Sequence, residues 1–118
     1  MESTSRIFSI ADFIRPSEDK PIRSVVLETS ESVVIVWHVR PGQEIAAHLH
    51  PDGQDTWTII SGVAEYYLGG GEVTHLKAGD IAVAKQGQVH GAMNSGREPF
   101  VFVSVVAPGN AGFSLAEK

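Results

Sequence analysis

The chain has 118 residues, 42% hydrophobic and 19% charged, a balance that predicts one globular domain over residues 1–118 and excludes a disordered chain. The formal net charge of −5, with Lys and Arg scattered singly, argues against nucleic acid as a partner. No apolar run approaches a membrane span or a secretory signal. Without cysteine there is no disulfide framework and no thiolate ligand, so a metal site must use histidine and oxygen, and a cytoplasmic location is expected.

In chain order, the N-terminal segment 1–22 carries Ile7, Phe8, Ile10, Phe13 and Ile14, more apolar surface than a free tail should present. Ile7–Ile14 reads as a strand followed by a helical turn, and the segment is expected to cover a sheet edge or to lie in a homodimer interface. Short β-branched and aromatic runs follow, predicting strands at Arg23–Glu28, Val33–Val39, Ile45–His48, Thr56–Ile60, Val63–Leu68, Val73–Leu76, Ile81–Val83, Val89–Met93 and Phe100–Val106. The turns between them have mechanisms. Gly42 and Gly79 can take positive φ, Pro51-Asp52-Gly53 bends the chain, and Ser61-Gly62 suits a tight hairpin. This is the pattern of an all-β sandwich or barrel.

Two stretches carry chemistry. From Gly42 to Gly62 the chain reads G-x5-H-x-H-x4-D-x6-G, with His48, His50 and Asp55 at the marked places. From Gly79 to Asn94 it reads G-x5-K-x-G-x2-H-x3-N, with Lys85, Gly87 and His90. Histidines two apart on a strand share a face, so His48 and His50 can aim both rings into one cavity. Each histidine alone reads equally as a solvated strand or loop residue, as His38 and His75 do. These spacings resemble the two motifs of the cupin superfamily, except that Asp55 stands where the family has Glu and Lys85 where it has Pro.

The resemblance implies a double-stranded β-helix, or jelly roll, closed at one end and holding a metal in the other. It also implies His48, His50 and His90 as ligands, with a carboxylate as the fourth. Asp55 is one methylene short for that place, and at a bond length of about 2.0–2.2 Å it reaches a metal only if its strand moves inward. Gln54 offers an amide oxygen as the alternative ligand. Parity favours Asp55, which shares a face with Trp57 and Ile59, and it reads alternatively as an acceptor orienting a histidine. Any of Fe, Mn, Ni, Zn or Cu suits such donors. Asn94 reads as a backbone bridge, and Lys85 as a solvated loop residue or a cation at the pocket rim.

By parity, Trp57, Ile59, Ala64, Tyr66 and Ala92 are expected to wall the pocket, with Tyr66 or Asp55 as a catalytic proton donor or acceptor. Three functions remain open: a metal-dependent dioxygenase acting on a small organic molecule, a non-redox isomerase, decarboxylase or lyase, and a metal- or ligand-binding module without turnover.

Overall fold

The computed structural model describes residues 5–118. A 3-10 turn, Ile10–Phe13, precedes ten strands: β1 (Ser24–Glu28), β2 (Val33–Val39), β3 (Glu44–Leu49), β4 (Gln54–Ser61), β5 (Val63–Gly69), β6 (Glu72–Lys77), β7 (Ile81–Ala84), β8 (His90–Met93), β9 (Phe100–Ala107) and β10 (Ser114–Leu115). They form two five-stranded antiparallel sheets, ordered β1-β2-β9-β4-β7 and β10-β3-β8-β5-β6, the double-stranded β-helix expected above. Each predicted strand from Arg23 onward has its counterpart. The strand expected at the start of Ile7–Ile14 does not form, since residues 7–9 belong to no ladder, while the helical turn does. β10 was not anticipated; two residues carry too short a pattern to read.

Alternation along the strands explains which sides face inward. On β4, Asp55, Trp57 and Ile59 are buried while Gln54, Thr58 and Ile60 are exposed. Its central neighbour β9 directs Phe100, Phe102, Ser104 and Val106 inward. Trp57 stacks on Phe102 with ring centroids 4.0 Å apart, and Phe100 lies 5.2 Å from Phe102. Truncating any of these three rings to alanine is expected to cost about 3–5 kcal/mol. Together with Ile59, Ala64 and Tyr66 they plug one end of the barrel.

Two motif glycines hold the turns. Gly62 closes the β4–β5 hairpin at φ +81°, and a Cβ there would stand 2.3 Å from the carbonyl oxygen of Pro99. Gly42, at φ +85°, faces open space. At the closed end Asn94 is fully buried. Its amide donates to the carbonyls of Val39 (2.9 Å) and Glu98 (2.8 Å), and its oxygen accepts from Gly96 N (2.9 Å). It is the backbone bridge that its motif position suggested.

The 3-10 turn of the N-terminal segment lies against β1, the outer strand of the first sheet. The segment is tied down where Gln43 Nε2 donates to Ser17 O (2.7 Å) and where Arg40 meets Glu18 at 4.0 Å. Phe8 and Phe13 pack edge to face, yet Ile7 remains 89% exposed. Among the described residues no helix is long and apolar enough to cross a membrane.

Candidate metal centre

At the open end the two sheets converge on one point. His48, near the end of β3, is the register partner of His90, the first residue of β8, after an irregularity in the ladder between Ile45 and His48. Both rings therefore arrive from the second sheet, with centroids 4.1 Å apart. His50 follows β3 at the turn that carries the chain across to β4, and Asp55 faces them from β4 in the first sheet. One potential donor atom from each of His48, His50, Asp55 and His90 lies within 4.8 Å of all the others. Such a group could hold a metal ion.

Backbone carbonyls set the orientation of each ring. His48 Nδ1 lies 2.7 Å from Ala46 O, His50 Nδ1 2.7 Å from Gly112 O, and His90 Nδ1 3.0 Å from Gln88 O. A carbonyl only accepts, so Nδ1 must carry the proton and the Nε2 lone pair is left for the centre of the group. Asp55 Oδ2 lies 2.9 Å from His90 Nε2 and 3.3 Å from His50 Nε2, while Oδ1 accepts a 2.5 Å hydrogen bond from Ser104 Oγ. His50 Nε2 is buried with no aligned hydrogen-bond partner. An orphaned buried nitrogen is costly unless something else occupies its lone pair.

The donor set fits a divalent transition metal. Ligand atoms roughly 2.1 Å from a common centre stand about 3.0 Å apart at right angles and about 3.4 Å apart at tetrahedral angles, within about 0.1 Å of the two Asp55 contacts. The short carboxylate therefore does reach the group. Burial, with His90 beside it, pushes His48 down to about 4, so its ring is neutral at physiological pH. The adjacent Asp55 carboxylate raises His50 against the effect of burial, and the nearby Arg23 charge works the other way. Burial alone would raise the Asp55 carboxyl, but the adjoining His50 and His90 rings and the Ser104 hydroxyl outweigh it and hold it far below the usual range.

The other expected site residues lie elsewhere. Gln54 is exposed on the opposite face of β4, because adjacent strand residues point apart. Tyr66 is buried edge-on to Trp57, its hydroxyl pushed up by burial and by the Asp55 charge, and it does not line the cavity. Lys85 is exposed in the turn before β8, its backbone N–H donating to Gln88 Oε1 (2.9 Å), away from the cavity.

The expected pocket wall also needs correction. Of Trp57, Ile59, Ala64, Tyr66 and Ala92, only Trp57 borders the cavity; the other four belong to the plug. Parity assigns a face of the sheet but not a height along the barrel. The cavity, about 670 Å³, is walled instead by Ile35, Trp37, Ile45, Val106 and Phe113, with His48, His50 and Asp55 also in its lining. Ser104 was missed, although a lone hydroxyl among inward apolar residues of β9 was a usable signal.

The family profile for the cupin domain matches residues 35–106. The chain belongs to the cupin family. It is similar to the crystal structure of an uncharacterized conserved protein with a double-stranded β-helix domain from Klebsiella pneumoniae, with 76% identity, a TM-score of 0.94, and coverage of 97% of this chain and 99% of that one. TT1209 from Thermus thermophilus shares the fold at 23% identity and a TM-score of 0.81, covering 88% of this chain and 98% of that one. A predicted oxalate decarboxylase from Thermotoga maritima does so at 20% identity and a TM-score of 0.68, covering 80% and 96%. No curated protein matches the chain.

Proposed function

We propose that this cupin is a metal-dependent dioxygenase acting on a small, largely apolar organic substrate, with His48, His50, His90 and Asp55 holding the metal. One observation carries the reading: the cavity offers converging histidine and carboxylate donors and apolar walls, and among the described residues the unengaged ionisable groups in its lining are the rim cations Lys20 and Arg23. Among the described residues, the ionisable groups lining it are His48, His50 and Asp55 of the donor group, Glu44, and the cations Lys20 and Arg23. Glu44 accepts hydrogen bonds from the Tyr67 hydroxyl and from Lys118 Nζ (3.1 Å), and the Tyr67 bond holds its carboxyl low. An isomerase or lyase needs a proton donor or acceptor poised at the substrate, and Tyr66 lies outside the cavity.

A bound redox-active metal would polarise a substrate oxygen and activate dioxygen. The chain itself does the rest. Nδ1–H···O=C bonds fix the three rings, Asp55 adds negative charge, and Trp37, Ile35 and Phe113 exclude water around the substrate body. Asp55, bound on both oxygens, acts here as ligand and charge rather than as a proton carrier.

Metal content of freshly purified protein, followed by oxygen uptake with an iron-loaded sample on a panel of diketones and catechols, tests the reading. Iron bound near one per chain, with oxygen consumed in proportion to substrate lost, is the expected result. Turnover that persists anaerobically with zinc, nickel or manganese would assign a non-redox enzyme. Metal retention without any product would assign a binding module.

We also propose a homodimer joined through the N-terminal segment, whose Ile7, Phe8 and Ile10 remain exposed. Removal of residues 1–15 should yield monomers in sedimentation, and an unchanged native assembly would refute this.

A further inference from the structure

Two cations stand at the mouth of the cavity with nothing to neutralise them. Lys20 and Arg23 both line it and are both solvent-exposed, which places them at its rim, on the stretch that leads into β1. Neither forms an ion pair or hydrogen bond among the described residues. Elsewhere Arg40 pairs with Glu18, Lys77 with Asp80 and Lys118 with Glu44, while Lys85 and Arg97 are exposed and unpaired but line no cavity. In a chain of formal net charge −5, an unpaired pair of cations beside a cavity runs against the global balance. The one rim carboxylate, Glu44, is turned to Tyr67 and Lys118 and so cannot cancel them.

Beside the cations, the lining combines apolar side chains, among them Ile35, Trp37, Val106 and Phe113, with the polar donors of the histidine group. A volume of about 670 Å³ is in the range that encloses a small metabolite. A ligand matching these surfaces has an anionic group for the cations and an apolar body for the walls.

We propose that the cavity binds an amphipathic carboxylate, its apolar body against Trp37, Ile35 and Phe113 and its carboxylate paired with Arg23 and Lys20 at the mouth. The proposal rests on the reading of this cavity as the substrate chamber, and it names the substrate class. Arg23 supplies a planar fork that matches a carboxylate in two-point contact, and Lys20 adds a movable point charge. Because both cations are exposed, their contribution is modest and sensitive to salt. They act as specificity determinants by admitting the acid and disfavouring neutral or cationic analogues of the same shape.

Matched acid and amide pairs test this: 3-phenylpropanoate against 3-phenylpropanamide, and octanoate against octanamide, titrated calorimetrically into the full chain. The expected result is roughly three- to tenfold tighter binding of each acid than of its amide at low salt. That preference should shrink at high salt and vanish in Arg23→Gln/Lys20→Gln, while amide binding stays unchanged. Running the series after chelation and in His48→Ala separates the two readings. A preference that survives there depends on the rim and stands even if the metal reading fails. A preference abolished by chelation but intact in the Arg23→Gln/Lys20→Gln variant assigns the carboxylate to the histidine group and overturns the proposal. Equal affinities for acid and amide, or no binding of either acid up to 10 mM (a ceiling of about −2.7 kcal/mol), overturn it as well.

Discussion

Replacing Ser104 with alanine removes one hydroxyl from a site whose other members all lie within the two motifs, and its effects can be worked out in advance. Ser104 is 1% exposed and Asp55 3%. The 2.5 Å bond between them satisfies Oδ1 of a carboxylate that no water reaches easily. A hydrogen bond to a charged group contributes about 1.5–3 kcal/mol, and the loss lies at the upper end when the abandoned acceptor stays buried. S104A should therefore lower the unfolding free energy of metal-free protein by about 2 kcal/mol, read from urea transitions in the presence of chelator. The same bond orients the carboxylate toward His50 and His90, so metal affinity should fall about 10- to 100-fold in competition with a chromophoric chelator. Thr58→Ala, on the exposed face of the neighbouring strand β4, is the control and should stay within about 0.5 kcal/mol of the parent. If S104A unfolds at the parent's midpoint and binds metal within about threefold of the parent's affinity, the hydroxyl has no role in presenting Asp55.

Four other outcomes follow from the same geometry. The His48→Ala/His50→Ala protein should lose the metal that the parent retains through purification, as measured by elemental mass spectrometry. In metal-free protein His48 sits at about 4 when folded against about 6.5 when unfolded, so the unfolded chain takes up the proton first as pH falls. Its contribution to stability is present above pH 6.5 and lost toward pH 4, with a slope of at most about 1.4 kcal/mol per pH unit that His48→Gln should flatten. His50, raised on folding, contributes below its unfolded value and loses that contribution as pH rises through the folded one, so a stability–pH curve should peak near neutrality. Gly62→Ala combines positive φ with a backbone clash and should cost about 2–4 kcal/mol, against about 1 kcal/mol for Gly42→Ala, where the space is open; thermal melts of the pair give the comparison. Asn94→Ala abandons three backbone groups, one in a buried bond and two in partly buried ones, and should cost about 2 kcal/mol or more in denaturant, roughly 1 kcal/mol per group.

Much of this molecule was legible in the sequence because the signals are local. Alternation placed nine strands, and the H-x-H spacing put His48 and His50 on one side of the chain. The parity of β4 likewise favoured Asp55 over Gln54. What was illegible depends on height and path. Tyr66 shares an inward face with residues near the site yet sits in the plug, since alternation says nothing about distance along the barrel axis. The path of residues 20–23 past the cavity mouth has no local signature, so the rim cations were sought at Lys85 instead of Lys20 and Arg23. The carbonyls that orient the rings belong to the backbone and leave no mark in residue identity.

The segment after β9 gives the site an order of assembly. Gly112 supplies the carbonyl that fixes His50, Phe113 lies 5.3 Å from His48, and Ser114–Leu115 pair with Leu49 and His48. All of these lie downstream of both histidine motifs. On a ribosome, every candidate donor and the central strands emerge before the residues that steady two of those donors. A nascent chain paused after β9 would carry all four donors with the His50 ring still free to turn. The steadying of the donor group would thus wait on residues 112–115, and a chain lacking them should exchange a bound metal faster than one that has them.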